Sequence, residues 1–133
     1  MTVLEQDNLT IIRQTKGGIL NLPFVDVKNE ILGKEYELSL VFPHKKNSIE
    51  LHQIWKKKES PVNTLSFPLD KNSGEIILTL SQARKEAPKY GHRYREHVLF
   101  LFIHSCLHLK GMTHGAKMEK YERQLYLKFS KAL

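Results

Sequence analysis

Three histidines, His104, His108 and His114, carry the most specific chemical pattern in this chain. His104 and His108 are four residues apart, so on a helix their imidazoles stand one turn apart on the same face. Gly111 follows, a residue able to end a helix in the left-handed conformation. The chain can then turn and bring His114 back to the first pair. Three neutral imidazoles converging in this way leave a fourth metal position open, as a catalytic zinc site requires. Histidine ligands select zinc, copper, nickel or iron over magnesium or calcium. Zinc is the default for hydrolysis because it lowers the pKa of bound water to about 7.

The spacing His-x-x-x-His-x-x-Gly-x-x-His is also that of the metzincin proteases, whose general base is a glutamate directly after the first histidine. Here that position holds Ser105, which does not accept a proton near neutral pH, and no methionine-turn signature follows. A protease spacing without its base argues against a peptidase. Cys106 is offset from the His104/His108 face and reads as a buried, inert thiol rather than a ligand or nucleophile. His97 shares their stripe but stands nearly two turns, ~10 Å, before His104. That is too far to bind the same ion, and we read it as structural or solvent-facing.

The elements that must position this array can be read from hydrophobic period and punctuation. The spacing predicts a long helix from about His92 to Leu109, apolar nearly all round from Val98 to Ile103 and so running through the core. A last helix follows Gly115, with Met118, Tyr121, Leu125, Phe129 and Ala132 on its docking face. Upstream, Leu9–Ile12 is a short strand-like piece and Phe24–Leu32 a short amphipathic helix stopped by Gly33. Tyr36–Phe42 is a strand, and Ser48 is the expected N-cap of a helix carrying Ile49, Leu51, Ile54 and Trp55. Thr64–Phe67 is a strand stopped by Pro68, and Glu75–Leu80 is a strand covered on both faces. Ser81 is the expected cap of a short helix over Gln82 to Ala87, ended by Pro88.

At 133 residues, with 41% hydrophobic and 26% charged residues and no repeat or linker, residues 1–133 read as a single domain. The lone cysteine excludes an intrachain disulfide and fits a reducing, cytoplasmic compartment. No secretory signal and no membrane-spanning apolar run is visible. Lys and Arg number 21 against 14 Asp and Glu, a net charge of +7. That excess points to a polyanionic partner, nucleic acid being the commonest, or simply to solubility. The run Lys56-Lys57-Lys58 has the same two readings: a solvated helix end favoured by the dipole, or a phosphate contact.

The stretch His104-Ser105-Cys106-Leu107-His108-Leu109-Lys110-Gly111-Met112-Thr113-His114 resembles the His-Gly-x-x-His-Leu-x-Gly-Tyr-Asp-His signature of the YbeY family of bacterial metal-dependent endoribonucleases. Val62-Asn63-Thr64-Leu65-Ser66-Phe67-Pro68 is similar to that family's Thr-Asp/Asn-Val-Leu-Ser-Phe-Pro, and Gly74-Glu75-Ile76-Ile77 to its next strand start. The blocks stand in the family's order over about residues 36 to 130.

The resemblance implies an α+β fold, a mixed four-stranded sheet with helices and the histidine-bearing helix at its centre. It implies one zinc ion on His104, His108 and His114. The activity implied is cleavage of single-stranded RNA during small-subunit ribosomal RNA maturation and ribosome quality control. Small-subunit ribosomal proteins are the further partners. A family arginine falls on Lys56, which becomes the expected phosphate-holding residue of catalysis; lysine keeps the charge but loses the bidentate fork. Ser105 for Gly, Thr113 for Asp, Glu75 for Asp and Val62 for Thr are further departures. The missing acid beside His114 removes an expected orienting partner. The competing expectation is a non-catalytic, zinc-containing ribosome assembly factor that binds RNA or a ribosomal protein.

Overall fold

A computed structural model describes residues 1–56 and 63–133, apart from the side chains of Leu51, His52, Ile54, Trp55 and Lys56. The sheet runs in the order β1 (Thr2–Gln6), β2 (Leu9–Arg13), β3 (Glu37–Phe42), β5 (Ser73–Leu78), β4 (Thr64–Asp70). β1 and β2 are antiparallel, β2, β3 and β5 are parallel, and β4 returns antiparallel to β5. Around it lie α1 (Phe24–Ile31), α2 (Lys45–Lys56), α3 (Leu80–Glu86), α4 (Tyr94–Leu109) and α5 (Ala116–Ser130), with a short 3-10 turn at Ala87–Tyr90.

The fold is α+β as expected, but the sheet has five strands rather than four. The extra strand is β1, mostly exposed and on an edge. It lacks the buried alternation that marks a strand in sequence. It is fixed by a two-residue hairpin at Asp7 and Asn8, both with positive φ (50° and 62°), which matches the twist of the flanking strands. Lys28, fully buried on α1, locks this corner: its ammonium donates to the carbonyls of Asp7 (2.8 Å) and Lys34 (2.9 Å).

Three further expectations are corrected. Ser48 does not cap α2, which starts three residues earlier; its hydroxyl is buried 2.5 Å from that of Thr79. The cap comes from outside the helix. Gln14 Oε1 accepts from the backbone N–H of His44, just before the helix (3.1 Å), and from the side-chain amide of Asn47 in its first turn (3.2 Å). A main-chain donor at the helix start is thus satisfied from the end of β2. Ser81 lies inside α3, where Thr79 takes the capping position. Pro68 does not stop β4, which continues to Asp70 through an irregularity; an edge strand tolerates a missing N–H.

α4 is the centre of the molecule. Nine of its sixteen residues are buried, and it packs on β4, β5, α1, α3 and α5. Its Phe102 meets Phe24 of α1 edge-on at 5.1 Å. α4 starts at Tyr94 rather than His92, because the Arg93 N–H is capped by Glu96 Oε1 at 2.7 Å. Cys106 is completely buried, and burial pushes its thiol pKa up, which keeps it inert. No helix among the described residues is long and apolar enough to cross a membrane.

Candidate metal centre

The last turn of α4 explains how the third histidine returns. Gly111 has φ +102°. Its N–H donates to the His108 carbonyl at 2.9 Å, and the Met112 N–H donates to the Leu107 carbonyl at 3.0 Å. This paired closure is a Schellman motif, with Met112 packed against the core as its apolar contact. The chain reverses sharply, and His114 arrives beside the other two rings. Ring centroids are 4.6 Å (His104–His108), 5.3 Å (His104–His114) and 4.8 Å (His108–His114) apart. One nitrogen from each ring lies within 4.8 Å of the others, so the group could hold a metal ion.

The outer nitrogens decide which inner ones are free. His108 Nδ1 is 3.2 Å from the Met112 carbonyl oxygen, which only accepts, so this nitrogen carries the proton. His104 Nδ1 is 2.5 Å from Glu122 Oε2 on α5 and donates to that carboxylate. The two Nε2 atoms then present lone pairs to one another at 3.0 Å. Two facing lone pairs are repulsive unless a cation lies between them. This donor set fits a tetrahedral metal with nitrogen bonds of ~2.0–2.1 Å, whose ligand atoms are ~3.3 Å apart. Carboxylate and carbonyl acceptors behind the rings are what metal-binding imidazoles use to fix tautomer and orientation. Burial, followed by the neighbouring His104 and His114, holds the His108 pKa below its usual value, which keeps it in the neutral form a metal needs.

Glu122 has no counterpart in the sequence reading. Its signal was an acid four residues after Met118 on the face by which α5 docks, where a carboxylate is costly unless paired. Thr113, where an acid was expected, is exposed, and among the described residues His114 has no hydrogen-bonding partner behind its ring. The orienting acid is present, but it serves His104 and comes from another helix.

The triad opens into a groove of about 570 Å³, walled by Thr64 and Ser66 of β4 on one side and by Tyr90 and Phe100 on another. Ser105 ties this wall down: its hydroxyl is 2.7 Å from that of Thr64, and its carbonyl accepts from Ser66 at 3.2 Å. The residue standing where a metalloprotease has its base is therefore buried and structural. His97 is also buried and structural rather than solvent-facing, with Nδ1 3.1 Å from His92 Nδ1. The side chain of Lys56, together with Lys57, Lys58 and Val62, lies outside the described residues.

Known proteins resemble this chain along most of its length. The family model described as Endoribonuclease YbeY matches residues 7–130. The "Endoribonuclease YbeY" of Persephonella marina is 31% identical over 102 residues, 71% of this chain and 64% of that protein. This chain thus spans slightly less than two thirds of that relative. The protein of the same name from Campylobacter jejuni subsp. jejuni is 31% identical over 107 residues, 73% of this chain and 80% of that one. A solution structure from Thermotoga maritima superposes with a TM-score of 0.62 at 23% identity, covering 89% of this chain and 86% of that one; it shows the shared fold.

Proposed function

The chain belongs to the YbeY endoribonuclease family, and from that premise we propose that it is a zinc-dependent endoribonuclease cleaving single-stranded RNA. We place its work in small-subunit ribosomal RNA maturation and ribosome quality control, in the cytoplasm. The observation that carries the reading is the His104–His108–His114 cluster with Glu122 and the Met112 carbonyl behind it.

In this reading the three imidazoles hold one zinc ion. When bound, the ion supplies Lewis-acid chemistry to a phosphoryl oxygen and to water. Glu122 keeps the proton on His104 Nδ1 and the Met112 carbonyl keeps it on His108 Nδ1, so both rings present lone pairs inward. The β4 wall, pinned through Ser105, gives the RNA strand a rigid side to lie against. Lys56 and its neighbours Lys57 and Lys58 hold the phosphate backbone, and the net charge of +7 draws the polyanion in.

The test is cleavage of a labelled single-stranded RNA by the purified protein, with a duplex of the same sequence as control. Cleavage of the single strand that stops with chelator and returns with zinc supports the reading. RNA binding without cleavage in the presence of zinc contradicts it and identifies an assembly factor.

A further inference from the structure

Phe100 sits one turn before His104 on α4, at the junction of the histidine groove and a second pocket formed with His92, Lys120, Arg123 and Tyr126. Its ring centroid lies 5.4 to 6.4 Å from those of Tyr90, His92, His97, His104 and Tyr126. Phe100 is half-buried: it packs against the core, stacks beside His97 and His104, and lines both cavities. Tyr90, which also lines the histidine groove, is 56% exposed. Behind them His92 stacks on Tyr126 at 4.9 Å and 23°, which stiffens the wall.

The charges around these rings suit a nucleic acid. Lys120 and Arg123 are exposed cations beside the platform. Of the two acids there, Glu122 is engaged by His104, while Glu119 is exposed and lines both cavities. Exposed aromatic faces bordered by cations are how proteins hold single strands, with bases stacked and phosphates paired. A phosphodiester presented to the histidines also needs an anchor on a flanking nucleotide, since positioning supplies much of the rate.

The geometry points to a nucleobase-stacking subsite formed by Tyr90 and Phe100, which takes the base of a nucleotide adjoining the phosphodiester at the histidine triad. The inference rests on the RNA-cleaving reading and adds where the strand is gripped. Stacking tolerates every base, so the subsite anchors the strand without reading its sequence.

The experiment measures binding of a fluorescein-labelled single-stranded oligoribonucleotide and of a series in which one nucleotide at a time is abasic. Zinc-loaded protein and 2′-O-methyl oligonucleotides are used, and a denaturing gel after each titration shows that the strand is intact. For the wild type, one abasic position weakens binding roughly tenfold or more, the size of one lost stacked base. Tyr90→Ala, at an exposed position, binds the intact oligonucleotide as weakly as the wild type binds that abasic one and no longer distinguishes the two; Tyr90→Trp restores the difference. Phe100→Leu, which keeps apolar bulk, reduces it. If the wild type cleaves RNA but no abasic position weakens its binding, or Tyr90→Ala retains the full discrimination, the stacking subsite is overturned while the nuclease reading stands. If the wild type neither binds nor cleaves RNA, both are overturned.

Discussion

Nε2 of His104 lies 3.0 Å from Nε2 of His108, and the acceptors behind both rings deny either atom a proton in the neutral state. The fold therefore brings two lone pairs together, an arrangement relieved when a cation binds. Adding zinc to metal-free protein should raise stability by about 2.7 kcal/mol at a hundredfold excess over Kd, roughly 10 °C in Tm for a chain of this size. Thermal scans with and without zinc check it, and His108→Ala should show no such rise.

Glu122 holds His104 by its Nδ1, and in the proposed zinc site it would act on the ion through that ring. Glu122→Gln keeps the shape but loses the charge-assisted bond, and removing such a partner costs about 10- to 100-fold in metal affinity. Competition with a chromophoric chelator measures this. An unchanged affinity would mean that the 2.5 Å contact orients nothing.

The histidine spacing was legible because helix period and a glycine turn are local properties. α4, β3 and β5 were legible from local pattern too, α4 and β5 by near-continuous apolar runs and β3 by alternation. But β5 ends at Leu78, and Leu80, read as strand, opens α3. What sequence reading missed was tertiary. Glu122 reaches the site only because α5 folds back across α4, and no spacing links residues 104 and 122. Ser48 looked like a cap because serine usually is one, but its hydroxyl found Thr79 instead. β1 was invisible because an exposed edge strand buries nothing that would pattern its residues.

Gly111 closes α4 with φ +102° and sets the path to His114. Gly111→Ala should cost about 1–2 kcal/mol for the left-handed backbone and weaken zinc binding as His114 is displaced. Urea unfolding and the chelator assay, run on the same variant, test both halves.

Gly74 lies where β5 passes under the end of α4. A methyl group there would collide with the Tyr36 hydroxyl and come within 3.0 Å of a Leu109 methyl. Overpacking of this kind costs about 1–3 kcal/mol. Gly74→Ala should be destabilised by that amount, and Tyr36→Phe should recover part of it in a double-mutant cycle.

His97 gives the stability a pH dependence. Burial first, and the neighbouring His92 second, lower its pKa to about 4 from the ordinary 6.5. Above pH 6.5 neither folded nor unfolded chain is protonated there, and the full stability is present. As pH falls from 6.5 to about 4 the unfolded chain takes up a proton that the folded one refuses, so stability is lost across that window. The loss is at most roughly 3 kcal/mol. His97→Gln, which cannot titrate, should flatten the fall between pH 7 and pH 4.5 in urea unfolding, relative to the wild type.

In the proposed enzyme, RNA cleavage depends on a metal held by His104, His108 and His114. The most direct measurement is zinc content and single-stranded RNA cleavage determined together on wild type and His108→Ala, with circular dichroism showing that both are folded. Wild type should hold about one zinc per chain, the load of a three-histidine catalytic site, and cleave the RNA, with both properties lost in the variant. Wild-type cleavage by a zinc-free His108→Ala protein would contradict that dependence.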